Sequence, residues 1–246
     1  MNIERVDFIA VPVEDLARAD EFYGEKVGLA RNPKSSGERW VEYETGNLTL
    51  ALSQFGGALA FGVGDVAEAR TALEGKDVTF EAEPFDSGVC HGQPFTDPDG
   101  NRLLLHHRYA PLESWEPPPT RVERTDFVSV PVTDRARGIE FYGGTLGLER
   151  NPLASEEWPE FRVGATTLLL TTPEQTGAPF RASDYGVSLR VGDVAGQMER
   201  LRAEGVEFHG EAYDSSVCHM AFLSDPDGNA LILHRRYAPY TDGSMP

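Results

Sequence analysis

The chain has 246 residues, a hydrophobic content of 40% and a formal net charge of −18. The length suits one large domain or two of ordinary size, and the charge repels phosphate backbones, so nucleic-acid binding is not expected. The longest apolar runs, such as LLL at 103–105, fall far short of the roughly 20 residues of a membrane span, so no membrane partner is expected either.

The opening residues, MNIERVDF, carry no basic stretch followed by an apolar one, and a cytoplasmic location is the expectation. Residues 5–13 alternate and are rich in β-branched side chains, which predicts a strand. Asp15 suits a helix N-cap, 16–26 carry helical spacing, and Gly28 suits the turn that ends the helix. Strands at 39–45 and 48–53 follow, joined by Gly46-Asn47, a hairpin pair. The pattern then restarts with a strand at 58–63, Asp65 as N-cap, a helix at 66–74 and a short strand at 77–81. A hairpin of 89–96 with 102–107 closes around DPDGN at 97–101.

After LESWEPPPTRVER at 112–124, whose three prolines favour a semi-rigid spacer, the sequence says the same things again. VDFIAVPVEDLARADEFYGEKVGLARNP at 6–33 returns as TDFVSVPVTDRARGIEFYGGTLGLERNP at 125–152, and DPDGN returns at 225–229. The second copy gives a strand at 124–132, Asp134, a helix at 135–145, and strands at 158–163 and 166–171. Then come a strand at 187–191, Asp193, a helix at 194–204, a strand at 206–209, and strands at 217–224 and 230–235. Self-similarity at a long offset signals a tandem duplication. The expected domains are 1–115 and 122–246, with 116–121 as a Pro-rich linker. The offset grows by ten residues within PEQTGAPFRASDY near 173–185, an insertion that reads as a lid or a plain surface loop.

With these motifs in place, the chain resembles the vicinal oxygen chelate superfamily of glyoxalase, bleomycin-resistance proteins and extradiol dioxygenases. The carrying residues are a strand followed by Asp15, Phe22-Tyr23 and Gly28-Leu29, with Asp134, Phe141-Tyr142 and Gly147-Leu148 in the second copy. The restarts at Asp65 and Asp193 and both DPDGN turns add to them. The resemblance implies an α+β fold of tandem βαβββ modules, four per chain, forming two curled-sheet domains with the site inside each cup. It also implies divalent-metal ligands at set positions, which here are Phe8, Leu50, Ala58 and Leu104, and Phe127, Leu168, Gly186 and Ile232. None of these side chains can ligate a metal, so no metal and no other cofactor is expected. Apolar walls are what a small-molecule pocket needs, although the same side chains could simply fill the cup.

The polar candidates also come in pairs. His106 and His234 lie two residues past the last of those positions, on the same strand face, as rim groups for hydrogen bonding or acid–base work or as structural histidines. Cys90-His91 and Cys218-His219 sit on the facing strand, and the register from DPDGN turns Cys90 the way of His106. The thiols read as a nucleophile with its base, a displaced metal site, or small buried fillers. Asp86-Ser87 and Asp214-Ser215 open that strand and read as turn formers or as polar contacts to a ligand. Trp40 and Trp158, with Glu42 and Glu160 two residues on, read as aromatic walls or as packing.

The expected ligand-binding set is Phe8, Trp40, Leu50, Ala58, Leu104 and His106, and Phe127, Trp158, Leu168, Gly186, Ile232 and His234. The leading expectation is a metal-free protein that binds an apolar or aromatic small molecule for sequestration or resistance, as a monomeric pseudo-dimer or a homodimer. The alternative is a lyase, isomerase or dioxygenase that uses His106 and His234, with Cys90 and Cys218 as further catalytic candidates and with or without a relocated metal.

Overall fold

A computed structural model describes residues 2–76, 78–111 and 115–239. The strand expected at 77–81 therefore has its first residue outside the described set, as do the ends of both expected domains at 112–114 and 240–246.

The first repeat opens with β1 (Ile3–Pro12). Helix α1 (Leu16–Asp20) follows, capped by the Asp15 carboxylate on the Ala17 and Arg18 amides. It widens into a π-helical segment, Glu21–Val27, that buries Phe22, Tyr23 and Val27 and ends at Gly28 with φ of 83°. That left-handed conformation is the reason for glycine there. Next are β2 (Ala30–Arg31), β3 (Trp40–Glu44) and β4 (Thr49–Ser53). The second module holds β5 (Ala58–Val63), α2 (Val66–Glu74, capped by Asp65), β6 (Thr79–Phe80), β7 (Phe85–Asp86), β8 (Cys90–Thr96) and β9 (Arg102–Arg108).

The second repeat follows the same plan. It runs β10 (Val122–Pro131), α3 (Arg135–Ile139, widening over Glu140–Thr145), β11 (Glu149–Arg150), β12 (Glu160–Val163) and β13 (Thr166–Thr171). Then come α4 (Pro173–Thr176), β14 (Gly186–Val191), α5 (Val194–Ala203), β15 (Tyr213–Asp214), β16 (Cys218–Ser224) and β17 (Ala230–Arg236).

Three differences from the expected elements have local causes. Within 173–185, Pro173 starts a one-turn helix fixed by a capping box of Thr172 and Gln175. The strand expected at 206–209 shrinks to a bridge between Phe208 and Leu223. Trp158 precedes β12 instead of opening it, because Pro159 intervenes and lacks the donor a ladder needs.

The strands form two curled sheets of mixed direction with few helices, an α+β architecture with no closed barrel among the described residues. Compactness divides the chain differently from the repeat. Unit 1 comprises 1–10, 57–115 and 129–184, and unit 2 comprises 11–56, 116–128 and 185–246. Each unit thus joins the second half of one repeat to the first half of the other.

The DPDGN turns make those joins. In unit 1 the buried Asp97 accepts from Tyr142 Oη at 2.9 Å, and Asn101 Nδ2 donates to the Pro131 carbonyl at 2.6 Å. In unit 2 Asp225 accepts from Tyr23 Oη at 3.0 Å, and Asn229 Nδ2 donates to the Pro12 carbonyl at 2.8 Å. The second aspartate of each turn anchors a helix start. Asp99 takes the Thr133 amide and Arg137, and Asp227 takes the Glu14 amide and Arg18.

Candidate functional site

The β8–β9 hairpin sets the first constellation. Its antiparallel register pairs Gly92 with His106 and Cys90 with Arg108. Directly opposed residues share a face, as do residues two apart on one strand, so Cys90, Gly92 and His106 all face one way. On the other side of β9, the parallel partner of His106 is Gly62 of β5.

Asp7 enters through an irregularity in β1. Val6 pairs with Phe61 and Phe8 with Ala60, so Asp7 is an extra residue, a β-bulge. The bulge lays the Asp7 carboxylate over Gly62, where an added Cβ would come within 2.8 Å of Oδ1. From there Asp7 Oδ2 lies 2.6 Å from His106 Nδ1, and Arg5 Nε lies 2.6 Å from Oδ1.

With Nδ1 taken by Asp7, the other edge of the His106 ring is left for the face it shares with the Cys90 thiol. Ser87 Oγ stands 3.0 Å from Cys90 Sγ. Burial works against the charge of His106, but the bonds to Asp7 and Cys90 and their charges outweigh it and raise the imidazole to about 9. The Cys90 thiol is lowered, chiefly by the bond from His106, with burial opposing and Ser87 assisting. Phe8 packs edge-on against His106 with centroids 5.4 Å apart.

Unit 2 repeats the cluster. His234 Nδ1 lies 2.5 Å from Asp126 Oδ2, Phe127 packs edge-on against the ring, and the same balance of burial against Asp126 and Cys218 raises His234 to about 9. The neighbours differ. His234 lies between Arg190 of β14 and Met220 of β16, where His106 lies between two glycines. Arg190, itself buried, donates from Nε to Asp126 at 2.7 Å, and Arg124 does so at 3.1 Å. Burial raises the Asp126 carboxyl, but His234 and Arg190 outweigh it and hold it low. Ser215 accepts from the Cys218 amide and donates to its carbonyl.

The structure therefore brings the sequence candidates Cys90 and His106 together, and Cys218 and His234. Asp7 and Asp126 complete the clusters and were not anticipated, because strict alternation sets them opposite Phe8 and Phe127. Their one visible signal is a carboxylate at the same place in each otherwise apolar strand.

Of the remaining expected lining residues, Leu50 and Leu168 are wholly buried, as is most of Leu104, and Gly186 is buried on β14. Ala58 and Ile232 are half-buried strand residues. Trp40 Nε1 donates to Glu42 at 2.7 Å, and Trp158 is exposed. His91 stacks against Tyr109 and His219 against Tyr237, and each tyrosine donates to the aspartate of the preceding turn, Asp86 or Asp214. These histidines face away from the thiol clusters.

The eight positions where the resemblance places metal ligands hold Phe, Leu, Ala, Gly and Ile, which offer no donor atom, so these residues do not fit the family's metal. Among the described residues, no group of three or more His, Cys, Asp or Glu is disposed to hold one. No helix among them is long and apolar enough to cross a membrane.

Among solved structures, the chain is similar to the Mn(II)-bound glyoxalase from Novosphingobium aromaticivorans, with a TM-score of 0.68 and 14% identity over 94% of this chain and 82% of that one. It is similar to homoprotocatechuate 2,3-dioxygenase from Arthrobacter globiformis, with a TM-score of 0.66 and 18% identity over 98% and 81%. It is also similar to the 2,3-dioxygenase LapB from Pseudomonas sp. KL28, with a TM-score of 0.65 and 14% identity over 98% and 96%. At such identities these likenesses speak for the fold alone. No curated protein matches the chain. The model of the Glyoxalase/Bleomycin resistance protein/Dioxygenase superfamily matches residues 5–105 and again 124–233. A duplicated sequence, curled mixed sheets and a family match over each repeat agree, and the chain belongs to that superfamily.

Proposed function

We propose that this superfamily member binds an apolar or aromatic small molecule without a divalent metal, with the Asp–His–Cys cluster as its polar contact. One observation carries the reading. The positions that would hold a cation are apolar in both repeats, while one strand step away each repeat gathers an aspartate, an imidazole and a thiol. Apolar walls with a few convergent polar groups are the usual make-up of a small-molecule site. The net charge of −18 argues against a nucleic-acid partner, and two free cysteines accord with a cytoplasmic setting.

The second reading is an enzyme. It draws on the order Cys90–His106–Asp7, which is that of a nucleophile, its base and the group that orients the base.

The test is metal analysis of the dialysed full-length protein beside a thermal-shift screen of aromatic compounds. The reading expects substoichiometric metal and a melting temperature that rises with ligand concentration by mass action. A stoichiometric, dialysis-resistant Mn, Fe or Zn ion, or ring cleavage of a catechol that depends on it, overturns it.

A further inference from the structure

Of the exposed large apolar side chains, six form three equivalent pairs: Phe85 and Tyr213, Val89 and Val217, Tyr109 and Tyr237. All belong to the β7–β8 and β15–β16 turns or to the strand ends beside them, so each repeat carries exposed apolar side chains at the end of the hairpin that holds its thiol. In unit 1 the Phe85 ring lies across Gly92, in the space a side chain there would fill, and thus on the face of Cys90 and His106. Phe85 is 43% exposed and also lines a hollow of about 320 Å³ with Val66, Pro84 and His91. It is the outer wall of the cluster, and it has room on its far side. In unit 2 the place of Gly92 is taken by Met220, which pairs with Tyr213 and His234, and Cys218 is buried.

We propose that the first repeat alone is a thiol site, in which the half-buried Cys90 adds to an apolar α,β-unsaturated carbonyl compound seated against the exposed Phe85 ring, and that the second repeat, whose Cys218 is buried, has lost this reactivity. The proposal rests on the small-molecule reading above and gives it a ligand class. The Cys90 thiolate is a soft nucleophile. Its sulfur forms a C–S bond at the β-carbon while the π-electrons shift toward the carbonyl. The α-carbon then takes the proton of the His106 imidazolium, leaving a thioether and a neutral imidazole. Asp7 holds the ring with its second nitrogen toward the thiol, and the exposed Phe85 ring selects an apolar substituent.

The probe is benzylideneacetone, with iodoacetamide as a small reference electrophile, and modification of each cysteine of the full chain is followed by peptide mass over pH 5–10. Cys90 is expected to react about tenfold or more faster than Cys218, with a midpoint below the ordinary thiol value of about 8.5. Gly92→Met, which copies the second repeat and claims the place of the Phe85 ring, slows benzylideneacetone more than iodoacetamide. Phe85→Ala leaves the fold intact and weakens the preference for the apolar probe. His106→Asn moves the midpoint up toward the ordinary value.

Equal rates at the two cysteines, or a Cys90 profile that His106→Asn does not move, overturns the proposal. A thermal shift by non-electrophilic aromatic compounds on Cys90→Ala separates the two readings. If it persists while Cys90 proves inert, binding stands and the thiol chemistry falls.

Discussion

The two clusters share an aspartate, a histidine and a cysteine, yet their surroundings have diverged. His106 stands between Gly62 and Gly92, and its aspartate is steadied by Arg5, which is half exposed. His234 stands between Arg190 and Met220, and its aspartate carries a buried guanidinium as well. The polar machinery is the same, but one copy lays the Asp7 carboxylate over Gly62 and the Phe85 ring over Gly92, and the other flanks its histidine with a buried arginine and a methionine. A duplicated site lets one copy keep its thiol half-buried while the other buries it and turns the same residues to stability.

The largest effect should come from the buried charges. Asp126→Ala leaves Arg190 and His234 without their counter-ion and should cost about 3–5 kcal/mol. Asp7→Ala should cost less, because Arg5 returns to water. Denaturant unfolding of both variants checks the order, and a costlier Asp7→Ala would break the contrast.

Next come the joins that both units share. Tyr142→Phe and Tyr23→Phe each remove a donor from a buried carboxylate and should each cost about 1.5–3 kcal/mol. The two should match within error, since the units are alike here, and a clear inequality would show that their divergence extends past the thiol clusters.

The most gradual effect is with pH. His106 and His234, both raised to about 9, bind their protons more tightly folded than unfolded. Their contribution is complete below about 6.5 and is lost as pH rises through about 9. The unfolding midpoint should therefore fall between those limits. His106→Asn should flatten that fall and lower stability more than His234→Asn, which leaves Asp126 with two arginines. A midpoint that rises across this window would contradict the ion pairing in both units.

The helices, their aspartate caps and the paired hairpins were legible because each rests on local chemistry: a carboxylate before an amphipathic run, or a glycine where φ is positive. The facing of Cys90 and His106 could be counted from the DPDGN turn. Asp7 could not be placed, because the bulge that turns it toward His106 depends on its pairing with β5 and leaves no mark on periodicity. The apolar replacement of the metal positions was visible in sequence. The glycines beside His106 were not, since parallel pairing brings Gly62 there from a distant strand. DPDGN read only as a turn, while its aspartates and asparagine in fact fasten the other repeat's tyrosine and proline.

That fastening governs how the polypeptide comes to be made. Unit 1 needs residues as far as 184 and unit 2 needs residues from 185 onward, so neither can close when the ribosome has finished only the first repeat. The nascent first repeat must wait with its tyrosine and its turn unmatched. Severed from the rest, its nearest substitute for the missing half is another molecule of itself, which would recreate in two strands of protein the handshake that the duplication sealed into one.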